Sequence, residues 1–159
     1  MELLTIGIVS YLMGSIPFGL ILTKIFLKKD IRDIGSGNIG ATNALRTGNK
    51  FIGYSTLILD IVKAVIPVLY VKVNFPDLIY VSALCAFLGH VFPVWLKFKG
   101  GKGVATYVGI LCSINIIFGI VFGICWLITF FISKFSSLAS LIGSFSVPIY
   151  LLLFDSIEN

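Results

Sequence analysis

The apolar positions of this chain come in long, almost uninterrupted runs, separated by short stretches rich in glycine, asparagine and basic residues. The runs lie near 3–23, 51–71, 78–96, 104–115, 116–133 and 137–154. About 20 apolar residues in helical form cross a ~30 Å hydrocarbon core. Helix is the predicted conformation throughout, because lipid offers no partner to an open backbone. The stretch 104–133 is too long for one crossing unless strongly tilted, and Ser113-Ile114-Asn115 supplies a polar break for a tight turn. The expected fold is all-α: a polytopic membrane helix bundle with six spans, forming a single domain over 1–159. No period of 20–50 residues marks repeats, and no low-complexity linker divides the chain.

Composition narrows the class. Hydrophobic residues make up 58% of the chain and charged residues 12%, against ~25% charged in soluble domains, which excludes a water-facing globule. The twelve basic residues sit in short clusters and form no continuous stripe, so nucleic acid is not an expected partner. Lys24, Lys28, Lys29, Arg32, Arg46 and Lys50 flank the first long loop, and Lys97, Lys99 and Lys102 the loop after the third span. Lys134 follows the fifth span, whereas the opposite connections hold only Lys72, balanced by Asp77, or no charge at all near Asn115. Basic loops stay cytoplasmic, which places the N-terminus and Asp155 to Asn159 outside. The first run lacks the basic start and small-residue cleavage site of a secretory signal, and is expected to remain as a membrane helix. Cys85, Cys112 and Cys125 lie inside apolar runs with no C-x-x-C spacing and no histidine at ligand spacing. Buried thiols are expected there, with no metal site.

Two loops carry the candidate chemistry. In 30–46, Gly35, Gly37 and Gly40 alternate with Ser36, Asn38, Thr42 and Asn43, and Arg46 follows. Glycine permits sharp, left-handed backbone, so successive amides are expected to converge as an anion nest, with Arg46 supplying a planar fork for phosphate oxygens. A helix starting near Gly40 would aim its positive end at the same anion. Gly35-x-Gly37-x-x-Gly40 also spells the dinucleotide fingerprint, but that fingerprint needs a preceding strand and a βαβ unit. Here it follows a membrane helix, so no cofactor is expected.

The second loop, from Gly89 to Thr106, places Gly100, Gly101 and Gly103 around Lys102, a point charge for an anion. It fails the Walker pattern, since Leu96 stands where the first glycine belongs. Lys97 and Lys99 serve equally well as topology charges. His90, the sole histidine, has no serine or acid placed by sequence to complete a triad, and a structural role is the expectation. Asp60 and Lys63 share one helix face; they either pair with each other or line a site. Ser136, Ser137 and Ser140 open the last run, where Ser136 or Ser137 suits a helix cap.

Gly14-Ser15-Ile16-Pro17-Phe18-Gly19, Gly35 to Asn43, Gly89-His90 to Thr106, and Ser137-Leu138-Ala139-Ser140 together resemble the acyl-phosphate:glycerol-3-phosphate acyltransferase family of bacteria, over nearly the whole chain. The resemblance implies a seven-helix inner-membrane enzyme moving a fatty acyl group from acyl phosphate to glycerol 3-phosphate, giving lysophosphatidic acid and phosphate without coenzyme A or a carrier protein. It implies that Ser36 and Arg46 are critical, that 97–103 engages glycerol 3-phosphate, and that Ser140 is a further active-site serine. The family's seventh helix and its motif of His, Arg and Asn have no counterpart before Asn159, which leaves a truncated chain and a natural, inactive short form as alternatives. The rival from another class is a small transporter or anion-binding membrane protein. Against it stand the lack of repeats and the expected lack of paired broken helices.

Overall fold

The computed structural model describes residues 1–154; the expectation for Asp155 to Asn159 lies outside the described residues. Eight α-helices form among them: α1 (Glu2–Gly14), α2 (Phe18–Leu27), α3 (Ala41–Leu45), α4 (Lys50–Asn74), α5 (Ile79–Val91), α6 (Val104–Ile114), α7 (Ile116–Ser133) and α8 (Ser136–Phe154). Large apolar side chains such as Ile8, Ile25, Ile124, Phe131 and Phe145 stand exposed on the outside of the bundle, as expected when lipid is the solvent.

The first predicted run is broken. α1 stops at Gly14 and α2 begins after Pro17, because proline lacks the N–H for a continuing helix and disfavours helical backbone in the residue before it. The break brings backbone close to α5: a Cβ on Gly14 would lie 2.1 Å from the Ala86 carbonyl oxygen, and one on Gly89 2.2 Å from that of Tyr11. Ser10 and Ser82 share a buried 2.8 Å hydrogen bond across the same contact. Small residues and hydrogen bonds are what draw helices together in lipid. Gly14→Ala is therefore expected to force α1 and α5 apart and cost about 1–3 kcal/mol, read as a lower melting temperature of the detergent-solubilised protein.

The six apolar runs form helices of unequal length. The segments Glu2–Leu27, Pro76–Leu96, Ile116–Ser133 and Ser136–Phe154 are long and apolar enough to cross a membrane. α4 has 25 residues, length enough for a crossing, with Asp60 and Lys63 at its middle paired to each other. α6 is the exception: its 11 residues reach only about 16 Å, half of a hydrocarbon core. It runs alongside the second half of α4, with Thr106 Oγ donating to the Asp60 carbonyl at 3.3 Å and Gly109 packed on Ile61. At its far end Lys72 Nζ donates to the carbonyls of Ser113 and Ile114 at 2.9 and 2.8 Å. The predicted break at Asn115 is present: its side chain caps α7 through the Ile117 N–H at 2.9 Å. The run 104–115 thus starts at the level of Asp60, and the preceding loop must descend into the bundle to reach it. Helix discontinuities exist after all, but a proline break and a half-length helix are unlike in form and make no repeated pair.

Candidate active site

The first loop is built on its own hydrogen bonds. Asp30 opens a 3-10 turn, Ile31–Asp33, accepting from the Arg32 backbone N–H at 3.0 Å and from its guanidinium Nε and Nη2 at 2.9 and 2.7 Å. Arg32's fork, helped by Lys24, holds the Asp30 carboxyl well below the usual range. A depressed folded-state pKa contributes stability above the unfolded value of about 3.9 and loses it only as pH falls through the folded value. Asp30→Asn is accordingly expected to lower the melting temperature above about pH 4 and to flatten its fall below that pH, so that the two profiles converge in acid.

Gly35 and Gly37 take positive φ, 53° and 70°, as a tight turn at those positions requires. Buried Asn43 then fastens the loop: its amide nitrogen donates to the carbonyls of Ile31, Ile34 and Asn38 at 3.0, 2.9 and 2.8 Å, and its oxygen accepts the Ser36 N–H at 3.0 Å. Asn38 accepts the Gly40 N–H at 2.9 Å, and the Gly37 N–H bonds Ile34. The expected amide nest is therefore largely spent. The N–H groups of Ser36, Gly37 and Gly40 close the loop on itself, and Asn43 acts from within it. A helix does start after Gly40, but α3 has only five residues and little dipole. What the loop presents outward are the exposed side chains of Ser36, Thr42 and Arg46. Arg46 folds back over Gly35: a Cβ there would meet its Cδ at 2.8 Å and one Nη at 3.3 Å. That brings the guanidinium beside Ser36.

The second loop is pinned more deeply. After α5, Pro93 is buried, Val94–Leu96 make a 3-10 turn, and Lys97 and Phe98 take left-handed backbone. Tyr11 OH donates to the Phe92 carbonyl at 2.6 Å, and Trp95 Nε1 donates to Ser15 Oγ at 2.9 Å, tying this turn to the break in the first helix. Gly100 and Gly101 then return to α5, their N–H groups donating to the carbonyls of Val91 and His90 at 3.1 Å each. Each glycine has a steric reason. A Cβ on Gly100 would lie 2.1 Å from the His90 carbonyl oxygen, and one on Gly101 2.1 Å from His90 Nε2. Gly103 has φ 78° and faces the Phe87 ring. Lys102 is exposed between buried Gly101 and buried Gly103, at the start of α6, whose first-turn amides helix geometry leaves unsatisfied.

The two loops occupy one end of the bundle. Leu96 of the second packs on a core formed by Leu20, Ile31, Ile39, Ala44 and Ile52 around the first. Ser36, Arg46 and Lys102 are thereby gathered at one end, with Lys97 and Lys99 exposed beside them. Ser140 accepts from Trp126 Nε1 at 3.1 Å and donates to the Ser136 carbonyl at 2.8 Å, joining α8 to α7. An apolar cavity of about 540 Å³, lined by Ile6, Met13, Ile66, Tyr70 and Phe75 among others, lies between α1 and the second half of α4, away from both loops. The tie from Trp95 to Ser15 was not anticipated, although Gly-Ser-x-Pro inside an apolar run is a visible mark of a helix break.

A helix bundle with large apolar side chains on its outside and two basic, glycine-built loops closing one end defines a membrane protein with a cationic end. The family model for glycerol-3-phosphate acyltransferase matches residues 4–158. A glycerol-3-phosphate acyltransferase of Pelagibacter ubique (strain HTCC1062) is 73% identical over the whole chain, which spans 83% of that relative. One from Bradyrhizobium diazoefficiens is 50% identical over 91% of the chain and 73% of the relative. Among solved structures, PlsY (YgiH), an integral membrane glycerol 3-phosphate acyltransferase in its glycerol 3-phosphate form, superposes with a TM-score of 0.90 at 35% identity, over 96% of this chain and 78% of that one. Its lysophosphatidic acid form gives a TM-score of 0.87. The chain belongs to the glycerol-3-phosphate acyltransferase family.

Proposed function

We propose that the chain transfers a fatty acyl group from acyl phosphate to glycerol 3-phosphate, releasing lysophosphatidic acid and phosphate, with both phosphate-bearing substrates held between the two loops. The observation that carries this is Lys102, exposed between two buried glycines at the start of α6, on the same bundle end as Arg46 and Ser36. The relatives named above are glycerol-3-phosphate acyltransferases, and the related structures hold the acceptor and the product. In the cell, the basic loops face the cytoplasm and the N-terminus lies outside, following the distribution of Lys and Arg; the inner membrane is the location the family resemblance implies.

An acyl phosphate is an activated anhydride, so no enzyme nucleophile is required. The glycerol hydroxyl oxygen attacks the acyl carbon, the carbon–oxygen bond to phosphate breaks, and the phosphate leaves with the electron pair while a phosphate oxygen accepts the hydroxyl proton. The task left to the protein is to bring two anions together. Arg46 and Lys102 offset their repulsion and stabilise the charge that develops, and Ser36 orients by hydrogen bonding. Gly35, Gly37, Asn38, Gly40 and Thr42 shape the first rim. Gly100, Gly101 and Gly103 set the second, with Lys97 adding positive charge and Ser140 supporting the wall between α7 and α8.

Supplying acyl phosphate, acyl-coenzyme A and acyl carrier protein in turn tests the donor, and labelled acyl phosphate without acceptor tests the route. Product from acyl phosphate alone, with no label retained on Ser36, is expected. Product from a thioester, or a stable acyl adduct on Ser36, contradicts the scheme.

A further inference from the structure

A buried polar cluster lies beneath the second loop, and the reaction above makes no use of it. The Lys63 ammonium and Asp60 Oδ1 meet at 2.8 Å, with neither side chain more than 3% exposed. The same ammonium donates to the Ile16 carbonyl at 2.7 Å, a group freed by the break before Pro17, and stands 5.9 Å from the Phe18 ring centre. His90 Nδ1 lies 3.8 Å from the same carboxylate oxygen and is buried with no hydrogen-bond partner among the described residues. The Asp60 backbone carbonyl accepts from Thr106 Oγ in the first turn of α6. Two residues of α4 therefore touch each segment framing the second loop: the break in the first helix, the end of α5 and the start of α6.

Buried charge is costly even when paired, and apolar packing at such a place is commonly neutral or better for stability. Geometry is the gain that remains. An ammonium carries three donors and no acceptor, so Lys63 can satisfy a carboxylate and a carbonyl at once and fix the distance between α4 and the first helix. His90 extends that constraint to the loop: its carbonyl accepts the Gly101 N–H and its ring lies directly under Gly101. With Nε2 covered by Gly101 and Nδ1 facing Asp60, the imidazole has no open nitrogen to present to a substrate.

We propose that Asp60, Lys63 and His90 are positioning residues that set the depth and orientation of the glycine loop, and hence of Lys102, acting on glycerol 3-phosphate through the loop without touching it. This rests on the acyl-transfer reading above. The test compares the full chain with Lys63→Met, Asp60→Asn, the double variant D60N/K63M and His90→Gln, measuring melting temperature, kcat and KM for glycerol 3-phosphate. Each single change at 60 or 63 strands one buried charge and lowers stability and turnover together. The double variant removes both charges and is expected to regain melting temperature while KM stays raised or kcat stays lowered by about tenfold or more. His90→Gln is expected to show the same kinetic loss with little change in melting temperature, and it decides the matter alone if the double variant does not fold. Kinetics that return to wild type along with stability, or a His90→Gln enzyme with wild-type constants, overturn the proposal. Wild-type protein that makes no lysophosphatidic acid rejects the acyl-transfer reading instead. The same variants are then compared by calorimetric affinity for glycerol 3-phosphate: an affinity lowered in step with a raised KM is expected, and unchanged affinity together with wild-type kcat overturns the positioning role.

Discussion

Arg46→Ala and Lys102→Ala are each expected to lower acyl transfer by about 10²–10³-fold or more while leaving membrane insertion and melting temperature close to wild type. Both side chains are exposed, and among the described residues no ion pair or side-chain hydrogen bond ties either of them to the fold, so their removal strands no buried partner there. Their value is electrostatic. In the proposed reaction two phosphates brought within reacting distance repel one another, and each cation would offset part of that repulsion as negative charge moves onto the departing phosphate. Arginine and lysine are not equivalent here: Arg46 offers a planar fork and Lys102 a point charge. Arg46→Lys is expected to recover only part of the lost rate, whereas Ser36→Ala, which removes an orienting hydroxyl and no charge, loses less than either alanine variant. Rates measured on matched amounts of membrane-inserted protein give this ordering, and wild-type turnover by either alanine variant contradicts it.

Asn43→Ala is expected to be nearly as damaging to activity, through a different cause. Its amide closes the first loop by bonding three carbonyls and one N–H. Hydrogen bonds of this kind are worth about 0.5–1.5 kcal/mol each, and buried groups left unpaired cost more. Losing them together removes about 2–4 kcal/mol of local stability, enough to let 34–40 open to water. Ser36 then loses its fixed place over the turn, and Arg46 its bed against Gly35. Hydrogen exchange of the loop amides is expected to accelerate in Asn43→Ala while the exchange of α7 and α8 is unchanged, with transfer falling at least about tenfold.

Much of this arrangement was legible in the chain. Runs of apolar residues between basic loops announced a membrane bundle, and Asn115 announced the turn between α6 and α7, because these features are local. The spacing of Asp60 and Lys63 put them on one helix face and left pairing or lining a site as alternatives; the two side chains pair. Three features were not legible, each for want of a long-range partner. The run 104–115 is short already in the sequence, but nothing there shows that Lys72 caps its far end. Asn43 reads as one more polar loop residue until its amide is found bonded to carbonyls as many as 12 positions away. Gly101 reads as a flexible hinge until the His90 ring is found where its side chain would be. The glycines of the second loop thus serve close packing more than mobility, and the first loop spends on its own closure the amides expected to bind an anion.

The central claim is that one end of this bundle joins an acyl phosphate to glycerol 3-phosphate. The most direct measurement supplies both to the purified chain and follows lysophosphatidic acid and inorganic phosphate together. Equimolar appearance of the two, dependent on both substrates and lost in Lys102→Ala, is the expected result. Glycerol 3-phosphate exchange across liposomes with no lysophosphatidic acid formed would contradict it.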